Sequence, residues 1–479
     1  MLKKRILLLF LTVILLLSPF LVSCKKNSSN PTGTAQNTES GGVLPYLDTL
    51  PENKTGFTEI RALAFESNCI PDSLDENASA IDFALFERDS IVRERYGIHI
   101  LYTPVTARFA VDMMRRSVIS GDNTYNVFLY QAQELMSIAT ESCLQDLNNV
   151  ANLDLSQQWW NQSLNSNLTI NNKLFCTAGQ YSQWYFGAPV CMAYNKSIAA
   201  DNGITEIDSL VDSGGWTLEA MQKICREKNI TADRDNNGVM DGNDTYMISA
   251  YQPALYGLFA STGGKFSTID RNSGEISVNI SDKASVQRLD KIIGVFNSTT
   301  TFYSNAIADS EKVFMSGRSL FFYAPLGFMA DLLDVTFEYG ILPTPKLDST
   351  QNNYIACGNP QSNFCLGIPY GLSKEETDFV GLIMEAYNYV SSEIVKPVKY
   401  DSFMKYRVAD DPASSARLDV MFENLYFDMN LVMDFGKSRT LINQTIFNET
   451  TNRYASSVKA SNDIIKSDIQ KLIGALNDQ

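Results

Sequence analysis

The sequence predicts a fold of the α/β class, in which helices cover both faces of mainly parallel sheets. Short, continuous apolar runs alternate with stretches of helical periodicity, a pattern typical of buried strands joined by crossover helices. The chain of 479 residues is 44% hydrophobic and 11% aromatic, so it can bury a large core. Its length indicates two or three domains.

The individual elements follow from the spacing of the apolar residues. Helical periodicity predicts a helix at 81–96, and Val380, Ile383, Met384 and Tyr387 form one apolar helix face. Runs rich in apolar and β-branched residues predict strands at 58–65, 99–104, 127–130, 174–177, 190–194, 245–250, 320–323, 340–342 and 364–368.

The N-terminal segment is basic at its start and then apolar up to a cysteine. Three basic residues at 3–5 precede an apolar run at 6–22, and Leu-Val-Ser-Cys at 21–24 resembles a lipobox. We therefore expect residues 1–23 to be removed and Cys24 to be acylated, with palmitate among the attached chains. This modification would hold the protein on the extracellular face of the cell membrane. The alternative is an ordinary secretory signal with an incidental cysteine.

After the signal, we expect Cys24 to be the lipidated residue and the region up to about Thr55 to be a flexible tether. From Lys25 onward it is rich in Asn, Ser, Thr, Gly and Pro and poor in large apolar residues, so it cannot form a core. Loss of the three basic residues shifts the net charge from -15 to -18 in the mature chain. That charge argues against nucleic acid or anionic lipid as a partner.

The cysteines after Cys24 are odd in number and lack the spacing of metal ligands. We expect them to be buried thiols that pack as small apolar residues. A single bridge, Cys357 to Cys365 or Cys176 to Cys191, is the alternative. The positions are 69, 143, 176, 191, 225, 357 and 365.

Four short motifs follow one another in the second half of the sequence. They are a strand ending in Tyr-Asn-Lys at 190–196, Gly-Trp-Thr-Leu-Glu at 215–219, Phe-Met-Ser-Gly-Arg at 314–318 and Gly-Ile-Leu-Pro-Thr-Pro-Lys at 340–346. In this order, and after a lipobox, they resemble the extracellular solute-binding proteins of family 1, the maltose-binding-protein-like carbohydrate receptors of ABC importers. The stretch 405–428 also resembles the C-terminal helices of a lipoprotein branch from Gram-positive bacteria.

The resemblance implies a two-lobed fold of the type II periplasmic-binding-protein kind, with a hinge and a ligand cleft between the lobes. We expect lobe 1 at 56–188 plus 362–397 and lobe 2 at 189–361 plus 398–479. The expected crossovers lie near Pro189, Asn359 to Gln361 and Lys396 to Pro397.

The function implied is capture of a mono- or oligosaccharide by lobe closure and its delivery to the membrane subunits of an ABC importer. No cofactor is required for this. A receptor for peptide or another solute on the same scaffold, or a secreted glycoside hydrolase, is the alternative. His99 is the only histidine and lies in a predicted strand, where we expect it to be packed. This argues against a Ser/His/Asp triad and against a histidine-rich metal centre.

Sugar recognition needs flat aromatic surfaces beside carboxylate and amide groups, and ligands of α/β sheets bind beyond the carboxyl ends of strands. We therefore predict ligand contacts from aromatic residues before the first crossover or near strand ends, and from polar residues that follow strands. Trp159 and Trp160 are expected in the core or at its rim. The predicted ligand-binding residues are Trp184, Tyr185, Glu66, Gln131, Tyr323 and Tyr251, with Tyr256 a weaker candidate.

A calcium-loop pattern lies between 233 and 244, with Gly238 at the sixth position. Position 12 is Asp rather than Glu, and a strand instead of a second helix is predicted to follow. We expect a structural Ca²⁺ away from the cleft, with a solvated turn as the alternative. The predicted ligands are Asp233, Asp235, Asn237, the Val239 carbonyl, Asp241 and Asp244.

Overall fold

Two five-stranded sheets organise the protein. The computed structural model describes residues 44–66, 74, 76–271 and 273–477. The predicted signal peptide, Cys24, Cys69 and the tether up to Val43 lie outside the described residues. No helix within the described part of the chain combines the length and apolar character needed to cross a membrane.

The first sheet has the strand order β2-β1-β3-β13-β4. β1, β2 and β3 are parallel, with Leu63 opposite both Thr103 and Phe128. β13 runs antiparallel to β3 and β4, so the sheet is mixed and the expectation of mainly parallel strands holds for only part of it. The strands are β1 (Glu59–Phe65), β2 (His99–Val105), β3 (Val127–Gln131), β4 (Thr177–Ala178) and β13 (Phe364–Gly367).

The second sheet has the order β11-β5-β10-β6-β9 and is also mixed. β10, β6 and β9 are parallel, whereas β5 is antiparallel to both of its neighbours. Its strands are β5 (Val190–Asn195), β6 (Tyr246–Tyr251), β9 (Thr301–Ser304), β10 (Ser319–Pro325) and β11 (Tyr339–Leu342). Two short pairs lie outside the sheets and consist of β7 (Thr268–Ile269) with β8 (Ile276–Ser277) and β12 (Ala356–Cys357) with β14 (Leu425–Tyr426).

Helices surround both sheets, and short 3₁₀ turns occur at 147–149, 185–187, 252–254, 326–334 and 435–437. The α-helices are α1 (Pro45–Thr49), α2 (Ala80–Tyr96), α3 (Ala107–Ser120), α4 (Ala132–Ala139), α5 (Gln162–Leu168), α6 (Lys196–Asp201), α7 (Ile207–Asp212), α8 (Leu218–Glu227), α9 (Tyr256–Ser261), α10 (Lys283–Ile293), α11 (Ile307–Met315), α12 (Lys374–Val390), α13 (Pro412–Glu423), α14 (Met429–Met433), α15 (Ser438–Phe447) and α16 (Tyr454–Asn477).

Local sequence signals fix several helix ends. Ser79 and Asp82 form a capping box at the start of α2, and Gly97 ends that helix with a φ of 62°, which favours glycine. Thr217 caps α8, because its hydroxyl accepts a hydrogen bond from the N–H of Ala220 at 3.2 Å.

Within the described residues, the chain passes between the sheets in three places. Two of them are the segments 179–189 and 343–363, which contact each other where the N–H of Asn359 donates to the carbonyl of Ala188 at 2.9 Å. The third passage is helical, since α12 continues through π-helical turns at Ser391–Val395 and Pro397–Val408. The predicted lobe boundaries remain a prediction.

The predicted tether is too long. α1 packs on the part of the protein that is built on the first sheet. Leu47 is buried there, and the Tyr46 ring lies 4.7 Å from that of Trp159. The Tyr46 hydroxyl donates to Glu385 at 3.1 Å. The chain is therefore folded from Leu44 onward, because a short apolar cluster within a polar stretch finds a partner surface.

Other expectations concern single side chains. His99 lies in β2 as predicted, but its side chain is exposed and not packed, because side chains alternate between the two faces of a strand and the neighbouring Ile100 takes the buried face. The described cysteines are free and buried, as expected of packed thiols; they are Cys143, Cys176, Cys191, Cys225, Cys357 and Cys365.

Candidate functional site

Aromatic side chains connect the ends of the two sheets beside the passages. Phe65 at the end of β1 packs on Phe364 at the start of β13, with ring centroids 5.0 Å apart. The Trp184 ring lies 6.3 Å from that of Phe364. On the second sheet, Tyr251 at the end of β6 packs edge-on against Phe328, which follows β10, at 5.9 Å. We call these five residues the aromatic strip.

Trp184 joins the two parts of the strip. It lies in the 179–189 passage, and a Cβ atom added to Gly327 would lie 3.2 Å from Cζ3 of the indole. Gly327 therefore allows the ring to approach the residue next to Phe328. Trp184, Phe65, Tyr251 and Phe328 are all partly exposed, whereas Phe364 is buried beneath them. A partly open aromatic surface thus extends from one sheet to the other.

Two of the predicted tyrosines are buried core residues that lie outside the strip. Tyr323 is fully buried and donates its hydroxyl to the carbonyl of Ala254 at 3.0 Å. It is therefore a core residue, and its prediction as a ligand contact is wrong. Tyr256 is also buried and donates to Asn359 Oδ1 at 2.8 Å.

Tyr185 points into a different aromatic group. Its ring stacks on Phe422 at 6.5 Å and meets Phe186 edge-on at 5.1 Å. Loss of solvent raises the pKa of the Tyr185 hydroxyl to about 12. Tyr185 thus packs the 179–189 passage against α13, away from its neighbour Trp184.

The predicted polar residues lie at the end of the first sheet. Glu66 follows Phe65 and is exposed. Gln131 ends β3, and its side-chain N–H donates to the carbonyl of Gln361 at 2.6 Å. One of its hydrogen-bond donors is therefore already bound to the 343–363 passage. Asn359, which the sequence did not identify as a site residue, accepts hydrogen bonds from Tyr256 and from the N–H of Gln361.

Trp159 and Trp160 are core residues, as predicted. Both indoles donate to the carboxylate of Glu385, at 3.1 and 2.9 Å, and the Tyr46 hydroxyl and the N–H of Asp154 donate to the same group. Burial nevertheless raises the pKa of Glu385 to about 7.

The predicted calcium loop brings some of its ligands together. Carboxylate oxygens of Asp233, Asp235 and Asp244 lie within 4.8 Å of one another. Asp241 lies outside this group and accepts the N–H of Asn243 at 2.7 Å. The N–H groups of Asp241 and Arg234 lower the pKa of Asp244 by hydrogen bonding to its carboxylate. The carboxylates of the group are thus suited by position and charge to a hard cation.

The remaining predicted ligands form a turn around this group. The N–H of Val239 donates to Asn237 Oδ1 at 2.7 Å, and the N–H of Gly238 donates to Asp233 Oδ2 at 2.8 Å. Gly238 has a φ of 81°, the backbone conformation for which glycine is needed.

The chain matches no protein-family model and no curated protein sequence. It is similar in structure to an ABC substrate-binding protein from Listeria monocytogenes in complex with cycloalternan, with 15% identity, 86% of this chain and 99% of that chain covered, and a TM-score of 0.54. The GacH receptor of Streptomyces glaucescens, solved with acarbose, matches at 12% identity with the same coverage and a TM-score of 0.56.

A further similar structure is the cyclic α-maltosyl-1,6-maltose binding protein from Arthrobacter globiformis, at 14% identity and a TM-score of 0.56, covering 86% of this chain and 99% of that one. At these identities the likeness establishes the fold. The predicted two-lobed α/β fold is confirmed, and so, at the level of the fold, is the resemblance to carbohydrate-binding receptors.

Proposed function

We propose that the protein is a non-catalytic receptor that captures a mono- or oligosaccharide between its two lobes for an ABC importer. The observation that supports this most directly is the aromatic strip, which reaches both sheets beside the passages. Sugars present apolar C–H faces that pack on aromatic rings, and they present hydroxyl groups to nearby carboxylates and amides. Glu66 and Gln131 supply such groups at the same end of the first sheet.

The similar structures support the same ligand class. They were solved with cycloalternan and with acarbose, and another, a maltodextrin-binding domain from Bdellovibrio bacteriovorus, was bound to maltotriose. We assign lobe 1 to 56–188 plus 362–397 and lobe 2 to 189–361 plus 398–479, with ligand held where the strip joins them.

Tryptophan fluorescence provides the test. Of the four tryptophans, all in the described part of the chain, Trp159, Trp160 and Trp216 are buried, and Trp184 is partly exposed. Titration with a carbohydrate panel should change the emission of the wild type, and Trp184→Phe should lose most of that change. Binding of peptides but not of carbohydrates would contradict the proposal. Release of cleaved sugars, followed by chromatography, would contradict a non-catalytic role.

The membrane location is part of the proposal. We assign acylation to Cys24, which would hold the receptor on the extracellular face of the cell membrane near the importer subunits. Cells supplied with labelled palmitate should incorporate the label into the wild type and not into Cys24→Ser. Equal labelling of both proteins would contradict the assignment.

We also propose that the loop at 233–244 holds a structural Ca²⁺ away from the ligand. Asp233, Asp235 and Asp244 would supply carboxylate oxygens, and like charges held this close are relieved by a cation. Addition of Ca²⁺ should raise the melting temperature of the wild type but not that of Asp233→Asn/Asp235→Asn. An equal response of both proteins would contradict this site.

A further inference from the structure

One buried arginine joins the half of the protein built on the second sheet to the half built on the first. Arg439, the second residue of α15, donates from Nη2 to Gln133 Oε1 at 2.7 Å. Gln133 is the second residue of α4, which directly follows β3 of the first sheet. α15 is tied to α9, beside the second sheet, where Asn443 Oδ1 accepts the N–H of Tyr256 at 3.0 Å.

Contacts other than the hydrogen bond to Gln133 also hold Arg439 in place. Its Nη1 donates to the carbonyl of Leu431 at 2.8 Å, and its backbone N–H donates to Asp434 Oδ1 at 2.6 Å. The guanidinium carbon lies 5.5 Å from the centroid of the Tyr256 ring, and the side chain is only 7% exposed. Little further side-chain entropy is therefore lost when the hydrogen bond to Gln133 forms.

The residue after Gln133 is also influenced by Arg439. Burial raises the pKa of Glu134, and the charge of Arg439 acts on that pKa in the opposite direction. The direct bond between α15 and α4 is the one from Arg439 to Gln133.

A ring contact and two hydrogen bonds connect Arg439 to two of the passages between the sheets. The Tyr256 ring beneath Arg439 carries the hydroxyl that donates to Asn359, and Asn359 in turn donates its N–H to Ala188. Gln131, two residues before Gln133, donates to the carbonyl of Gln361. The end of β3 is therefore held by the second passage, and the start of α4, which follows it directly, is held by Arg439.

We propose that Arg439 is a positioning residue that stabilises, through its hydrogen bond to Gln133, the arrangement of the two lobes seen in the structure, and that this is the arrangement that retains the ligand. This inference rests on the proposed function, because closure is the step that retains the ligand. A ligand that binds this arrangement loses affinity by the factor by which that arrangement becomes less populated. A hydrogen bond from a charged donor corresponds to about a tenfold change in such an equilibrium.

The test measures the distance between the halves in the complete mature protein. Fluorophores on non-canonical amino acids at the exposed positions Glu94 in α2 and Asn462 in α16 report that distance by single-molecule energy transfer. Gln133→Met removes the acceptor with little change in volume. The matched control is Arg226→Met, which removes a hydrogen bond of 2.7 Å from Arg226 Nη2 to Gln222 Oε1 within α8.

We expect Gln133→Met to populate a longer distance and to weaken binding of the best carbohydrate about tenfold, while the control changes neither. Gln133→Glu, which gives Arg439 an anionic acceptor, should restore the shorter distance. An unchanged distance and affinity in Gln133→Met would overturn the proposal, as would equal shifts in the control. If the wild type binds no carbohydrate, the proposed function fails, and the distances alone decide the role of Arg439.

Discussion

Glu385 gives the sharpest test of how burial and hydrogen bonding compete in this fold. Its carboxylate is fully buried and accepts from Tyr46, Trp159, Trp160 and the N–H of Asp154. All four donors favour the ionised form, yet burial outweighs them and raises the pKa from 4.5 to about 7. The variant Glu385→Gln tests this, because it keeps the shape of the side chain but removes its ionisable group.

The magnitude follows from the shift in pKa. At roughly 1.4 kcal/mol per pKa unit, a rise from 4.5 to about 7 corresponds to about 3 kcal/mol. Because the pKa of Glu385 is raised in the folded state, that state binds more protons than the unfolded one. The contribution of Glu385 to stability is therefore fully present below pH 4.5 and is lost as the pH rises through 7.

The assay is urea denaturation of the wild type and of Glu385→Gln between pH 4 and pH 8. Other titrating groups are shared, so the difference in the free energy of unfolding between the two proteins isolates Glu385. The wild type should lose about 3 kcal/mol relative to the variant as the pH rises across this range. A difference that stays constant with pH would contradict a raised pKa of Glu385. A difference of opposite sign would mean that the four donors outweigh burial.

Further predictions concern α1, the aromatic strip and the loop at 233–244. Tyr46→Phe should lower the free energy of unfolding by about 1 kcal/mol, measured in urea at pH 7, because one hydrogen bond to Glu385 is lost; no loss would mean that α1 contributes nothing through this bond. Gly327→Val should weaken carbohydrate binding at least tenfold by calorimetry, since a side chain there collides with Trp184; unchanged affinity would place the ligand elsewhere. Asp244→Ala should lower the melting temperature even without Ca²⁺, because its carboxylate accepts two backbone N–H groups; an unchanged melting temperature would contradict that role.

Periodicity predicted the positions of most strands, because burial on a sheet leaves a direct mark on the sequence. It did not predict the direction of β13, since an apolar run reads the same in parallel and antiparallel neighbours. Tyr323 was misassigned for a related reason: every residue of β10 is buried, so the end of that strand looks like any other part of it. The composition of 24–55 does not predict α1, because the many polar residues of that region outweigh the few apolar ones, Tyr46 and Leu47 among them, that form the helix contact.

The candidate site was predictable where a residue type is informative by itself. Trp184 stood out as an aromatic residue before a passage, and the structure places it at the junction of the strip. Phe364 and Phe328 gave no such signal, because phenylalanine at a strand end is usually core. The partnership of Arg439 with Gln133 joins residues 306 positions apart, and no local pattern encodes it.

The docking of α1 limits how far the receptor can stand from the lipid bilayer in the proposed lipoprotein. A fully extended chain spans at most about 3.5 Å per residue, so residues 24–43 reach about 70 Å, whereas 24–55 would have reached about 110 Å. The docking of α1 thus shortens the greatest possible separation between the folded protein and the bilayer by about 40 Å.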